Sequence, residues 1–345
     1  MRYFSVFILV LFSSLTIILS FIFNFDISNG GSSADINTHW NYLKLLNQNL
    51  NNLITLKAGI DYKLLHFPLH HIIFSRFDFL MLSLNNYINF FFFFSLLLPI
   101  IFFLFCKKLF KELSIEKIII LTFLILLFPN FQSSAIWGNS HITALIFFLV
   151  SIYNLNLSKT YNNDLPRLNV FMSILFMTLA TYTRQYYIIF FLYIIVKIYN
   201  YNKFKYIFFV LISLIFFSIP GIYYLIINPN LFFGLVKETT DFKSSVVIVL
   251  SIISFYLIPF FLIDLRNNIL SFNKIFSKKI IILMSLCSIL LLYFCLNFSY
   301  LGTIGGGIFY KASLFLLNSN LILYLTIFLS LFLLFFYNNN KLDYI

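Results

Sequence analysis

Apolar runs of roughly 17–25 residues, the length a helix needs to cross the hydrocarbon of a bilayer, recur along almost the whole chain. Where lipid replaces water, every backbone amide must be satisfied within its own segment, so such runs fold as helices. Composition points the same way: 61% of the 345 residues are hydrophobic and only 10% are charged. A water-soluble domain cannot bury that much apolar surface and still cover itself with polar groups. The expected fold is therefore all-α, a polytopic transmembrane bundle making one integral-membrane unit over residues 1–345. The net charge of +12 fits the excess of Lys and Arg that cytoplasmic loops collect, and it does not call for a nucleic-acid partner. Cys106, Cys287 and Cys295 have no paired or metal-type spacing, which argues against a disulfide framework.

The apolar runs predict about ten spans, near 3–25, 88–105, 118–131, 141–157, 169–182, 185–199, 206–227, 246–265, 280–298 and 313–337. The first follows a basic residue and has no small-residue cleavage site behind it, so it is expected as a retained helix. As one helix, 169–199 would be about 46 Å long, too long for one ordinary span. Two short helices there keep the basic groups on one side: Arg2, Lys107, Lys108, Lys111, Lys117, Lys159, Arg167, Lys197, Lys203, Lys205, Arg266, Lys274, Lys278, Lys279 and Lys341. That bias predicts cytoplasmic N and C termini. The opposite face then receives the 26–87 loop, the 132–140 turn, the bend at 183–184, and the 228–245 and 299–312 loops. All five histidines and both tryptophans fall on that extracytoplasmic face.

Several groupings there carry chemistry. In "SSADINTHWNYLK", Ser32 to Asp35 has the form of a capping box. Ile36, Trp40, Leu43, Leu46 and Leu50 follow at helical spacing. A short helix at the membrane surface is expected, with Trp40 at headgroup level. Asp35, His39 and Tyr42 share a neighbouring face; Asp35 equally suits a plain helix N-terminus. His66, His70 and His71 surround Pro68 in "HFPLHH", where polar groups lining a headgroup-level cleft suit better than a metal site, since no Glu or Cys stands at zinc spacing. Trp137 and His141 lie on the turn "IWGNSHITALIFF". Arg184 and Gln185, in "TYTRQYYIIF", sit at the outer boundary between apolar helices. An arginine so placed is costly and marks a functional site by default, with snorkelling to headgroups as the plain alternative. Its planar fork suits phosphate oxygens. Lys243 in the fourth of these loops, and Tyr310 and Lys311 after the glycines of "GTIGGGIFYK", complete the face.

The order of these parts resembles the GT-C superfamily of integral-membrane glycosyltransferases, and within it the dolichyl-phosphate-glucose-dependent α-1,2-glucosyltransferases of N-glycan assembly. The likeness covers roughly residues 1–200. It rests on Asp35 and His39 four apart after the first helix, on "HFPLHH", on "IWGNSHITALIFF" and on Arg184-Gln185. Ile36 stands where that family has a Glu beside the Asp, which leaves sugar and acceptor open. The resemblance implies an inverting transfer of a sugar from a polyprenyl-phosphate donor to a glycan or lipid acceptor; no cofactor is expected, and no metal ligands are read from the sequence. Asp35 would be the catalytic base. His39, Trp40, His66, His70, Trp137, His141, Arg184, Gln185, Lys243, Tyr310 and Lys311 would contact sugar or phosphate. The expected location is a bacterial inner membrane, or the endoplasmic reticulum membrane in a eukaryote. Two other classes stay open. A lipid-linked polysaccharide polymerase or ligase would concentrate its charges in a long late loop, and a transporter would carry charges at mid-membrane and an internal repeat.

Overall fold

The computed structural model describes residues 2–24, 31–48, 50, 67–111, 113–157, 166–202, 206–227, 246–251, 253–254, 278–296, 298 and 308–341. Among them every regular element is helical and no strand is present. Among the described residues two helices are long and apolar enough to cross a membrane, Leu84–Leu109 with 26 residues and Phe208–Ile226 with 19. A third is added if Ile115–Leu126 and Asn130–Ile136, bent by 61°, form one broken span. Shorter apolar helices of 10–17 residues occur at Val6–Ile22, Ser140–Asn156, Gln185–Tyr199, Met284–Tyr293 and Leu321–Leu334.

The chain packs as two compact units, Met1–Val236 and Lys237–Ile345. In the first, α1 (Arg2–Ile22) is followed by α2 (Gly31–Gln48), two short helices α3 (Leu69–Phe74) and α4 (Asp78–Met81), and then α5 (Leu84–Ser95) and α6 (Leu97–Leu109). The interruption at Leu96 has a local cause. Pro99 has no N–H to give the Ser95 carbonyl, and its ring crowds that turn. Next come α7 (Ile115–Leu126), α8 (Pro129–Ile136), α9 (Ser140–Leu157), α10 (Arg167–Thr183), a 3-10 turn (Gln185–Ile189), α11 (Phe190–Asn202) and α12 (Ile207–Ile227).

Helix α9 belongs to two cores. Ile142, Ile146 and Leu149 pack with Ile17, Trp40, Leu43, Phe91 and Phe131. Ala144, Ile152 and Leu155 pack with Ile174 and Met177 of α10 and Ile194 of α11. The start of α9 thus lies at a seam fixed from both sides. Across α9 and α10 the Ser151 hydroxyl donates to the Ser173 carbonyl at 2.7 Å, in the buried interface.

Pro220 lies inside α12, where a missing donor would leave the ladder open. Tyr182 of α10 repairs the next rung. Its hydroxyl accepts from the Gly221 amide at 2.9 Å and donates to the Phe217 carbonyl. Only glycine fits there, since a Cβ on residue 221 would lie 2.6 Å from the Tyr182 ring.

In the second unit, α13 (Lys278–Leu296), α14 (Ile308–Leu317) and α15 (Leu321–Lys341) share a small core of Val247, Leu291, Cys295, Leu323 and Ile327. The Tyr324 hydroxyl donates to the Cys295 carbonyl at 2.9 Å.

Candidate functional site

The capping-box stretch does open a helix, and the apolar face of α2 points into the protein. Ile36, Trp40, Leu43 and Leu46 are buried, while Leu50 beyond the helix is exposed. Burial of each is worth roughly 2 kcal/mol. Trp40 was expected at headgroup level; it is 7% exposed, 6.1 Å from the Tyr87 ring, with the Lys44 ammonium 5.0 Å over its own ring. It is a core residue because it lies on the stripe that packs toward α3, α4 and α8 and reaches Tyr87 of α5. The C-terminal end of α2 is pinned by the Arg76 guanidinium, which donates to the Leu46 carbonyl, and by Asn47, which donates to the Ser75 carbonyl at 2.8 Å.

Along the neighbouring face Asp35 is exposed, His39 half-buried and Tyr42 buried. His39 Nδ1 and His71 Nε2 share a hydrogen bond at 2.7 Å, with the rings stacked at 5.0 Å. This bond ties α2 to α3. Partial burial raises the Asp35 carboxyl above its ordinary value, and the Arg184 charge opposes the rise.

Pro68 stands at the N-cap of α3, so the helix that carries His70 and His71 begins directly after the proline. It sends His70 inward. His70 is 0% exposed; its Nδ1 meets the Thr143 hydroxyl at 3.0 Å and its Nε2 the Tyr87 hydroxyl at 2.9 Å. Tyr87 donates its proton to the Gly138 carbonyl at 2.6 Å. The directions are then forced. His70 Nε2–H must donate to Tyr87, and neutral Nδ1 accepts from Thr143. Burial holds the imidazole well below its usual value, and the charges of His39, Arg184 and His141 add to this. With both nitrogens used by the protein, His70 has no polar atom left for a sugar or phosphate, contrary to expectation.

Helix α8 ends at Trp137, and Gly138 follows at φ +66°. The Asn139 amide returns to the Ser134 carbonyl at 3.0 Å, the closure of a Schellman motif, whose left-handed position favours glycine. A Cβ on residue 138 would also lie 2.5 Å from the Tyr87 ring. This turn delivers Asn139 to the N-terminus of α9, where its Oδ1 accepts from Arg184 Nη2 at 2.8 Å.

Arg184 ends α10 with extended backbone and is 5% exposed. Its Nε has no hydrogen-bond partner. Burial lowers the guanidinium to about 10, against the pull of Tyr186, Asp35 and Tyr187. A cation is thus held beside the positive end of the α9 dipole with its Nε–H unmatched. An unmatched buried charge costs several kcal/mol, and an anion at that donor would offset it.

On either side of Asn139 and Arg184 in the chain, His141 and Tyr186 are exposed, joined through Nδ1 and hydroxyl at 3.1 Å. Gln185 is half-buried at the start of the 3-10 turn, and Trp137 is half-buried with its indole N–H unpartnered. Arg184 and Asp35 lie within reach of each other's charge, and the charges of His39, Arg184 and His141 all bear on His70. Tyr310 and Lys311 belong to the second unit, on α14; the Tyr310 ring meets Phe298 at 5.7 Å and Lys311 is exposed. His66 and Lys243 lie outside the described residues. Among the described residues no three His, Cys, Asp or Glu side chains are grouped as a metal ion needs.

Tyr87, Thr143 and Tyr186 were not singled out from sequence; His71 was read only with its neighbours around Pro68, and Asn139 only as part of the turn before α9. The signal for Asn139 was present in "IWGN", a glycine just past a short helix opened by Pro129. A scan of family models finds no match to this chain, and searches of curated proteins and of solved structures find none either.

Proposed function

We propose that this chain is an integral-membrane glycosyltransferase of the GT-C type, moving a sugar from a polyprenyl-phosphate donor to a glycan or lipid acceptor. The apolar runs are read as about ten spans with both termini cytoplasmic, in a bacterial inner membrane or the endoplasmic reticulum. The observation that carries the reading is the buried Arg184 guanidinium, anchored by Asn139 with Nε unpaired, within electrostatic reach of the exposed Asp35. A base and a cation for the leaving group are what an inverting transfer needs.

In the step, an acceptor hydroxyl attacks the anomeric carbon as Asp35 takes its proton. The new C–O bond forms on one face while the bond to the phosphate oxygen breaks on the other. The phosphate leaves with the bonding pair, gaining negative charge beside Arg184. A preorganised cation where charge develops lowers the barrier without reorganising. The raised Asp35 pKa makes it a better base than a free aspartate. His39 and His141 would orient the sugar, Gln185 and Trp137 would contact sugar or phosphate, and exposed apolar side chains would meet lipid and the prenyl tail.

Purified protein in detergent, given a polyprenyl-phosphate sugar and acceptor lipids, tests the reading by release of polyprenyl phosphate. Asp35→Asn should lower turnover by roughly 10²–10⁴-fold, the span of general-base contributions, without loss of folded protein. Undiminished transfer by that variant would refute the assignment.

A further inference from the structure

We infer that Asn139, Tyr87 and His70 are positioning residues for Arg184, linked so that a hydroxyl on α5 and an imidazole on α3 set how firmly the guanidinium can hold a phosphate group. The inference rests on the proposed phosphate role of Arg184 and adds residues that role does not name.

Arg184 departs from α10 with extended backbone, so helical geometry does not dictate where its guanidinium goes. Its side-chain anchor is Asn139. Asn139 is held by the Gly138 turn, and the buried Gly138 carbonyl is held by Tyr87. Tyr87 has spent its only proton there, so it accepts from His70, which accepts in turn from Thr143. Thr143 stands on α9, one turn after Asn139. The path therefore closes on the helix it began from and clamps both sides of that start. Each member is buried, where an unpaired polar group costs about 1–3 kcal/mol. One missing hydroxyl would therefore loosen the turn rather than be replaced by water.

The test is binding of geranyl phosphate to the purified full chain in detergent, with inorganic phosphate alongside to separate the phosphate group from its prenyl chain. Arg184→Gln should abolish binding. Asn139→Ala and Tyr87→Phe should each weaken it about tenfold or more, the scale of a misplaced binding group. Ser151→Ala, which removes a buried hydrogen bond elsewhere in the same unit, should lower the melting temperature and leave affinity unchanged. If Arg184→Gln abolishes binding while Asn139→Ala and Tyr87→Phe bind within twofold of wild type, the inference is wrong and the phosphate role stands. If only Asn139→Ala weakens binding, the Tyr87–His70 part is wrong. Should wild type ignore both probes, or Arg184→Gln bind normally, the phosphate role and the inference fall together.

Discussion

His70 and Arg184 reach the same turn through different partners, and they end differently. Both are nitrogen-rich and buried. His70 reaches Gly138 through Tyr87, and Arg184 reaches the next residue, Asn139. The imidazole has both nitrogens matched and is held neutral. The guanidinium cannot shed its proton near neutral pH and keeps Nε unmatched. A buried polar group whose valences are filled is part of the scaffold; one with a valence left over and a charge to neutralise is a place for a ligand.

The contrast can be broken most severely at Arg184. Arg184→Gln should lower kcat/KM by roughly 10²–10³-fold, as loss of one transition-state donor does. Thermal unfolding should be unchanged or improved, because an uncompensated buried charge is removed. A large loss of stability would place Arg184 in the scaffold. His70→Ala should act first on stability, costing about 3 kcal/mol through a cavity and the orphaned Tyr87 and Thr143 hydroxyls, read by denaturant or thermal unfolding, and should weaken phosphate binding only as the Gly138 turn loosens. Gly138→Ala should cost about 2 kcal/mol, since the left-handed backbone is strained by a Cβ and Tyr87 must move. The smallest effect is a pH dependence. The unfolded chain takes up His70's proton below about pH 6.5, whereas the folded chain refuses it until well below that. The unfolded state then binds more protons, so stability falls as pH drops, by about 1 kcal/mol near pH 5.5. Melting of wild type between pH 7.5 and 5.5 should decline more than that of His70→Gln. Arg184, titrating near 10, contributes nothing in that window.

What could be read from sequence was what depends on neighbours along the chain. Apolar runs predicted helices at 206–227 and 88–105, and the structure has helices at Ile207–Ile227 and Leu84–Leu109. The capping box placed a helix start near Ser32, and α2 opens at Gly31. Pro68 marked a break, and α3 begins behind it. Arg184 stood out because a cation between apolar helices is costly. Partnerships across long separations were not legible. Nothing local pairs His70 with Tyr87, or Arg184 with Asn139 45 residues earlier. The surroundings of Trp40 were hidden for the same reason. The stripe identified an apolar face, but lipid and a protein core demand the same residues, and only the packed helices decide between them.

The central claim is that Arg184 and Asp35 serve opposite ends of one bond. A cryo-EM structure of the protein with a non-cleavable prenyl-phosphonate sugar tests it most directly. The account predicts a phosphonate oxygen within hydrogen-bond distance of Arg184 Nε and the Asp35 carboxylate on the far side of the anomeric carbon. A phosphonate bound away from Arg184, or a sugar whose anomeric carbon lies out of reach of Asp35, would contradict it.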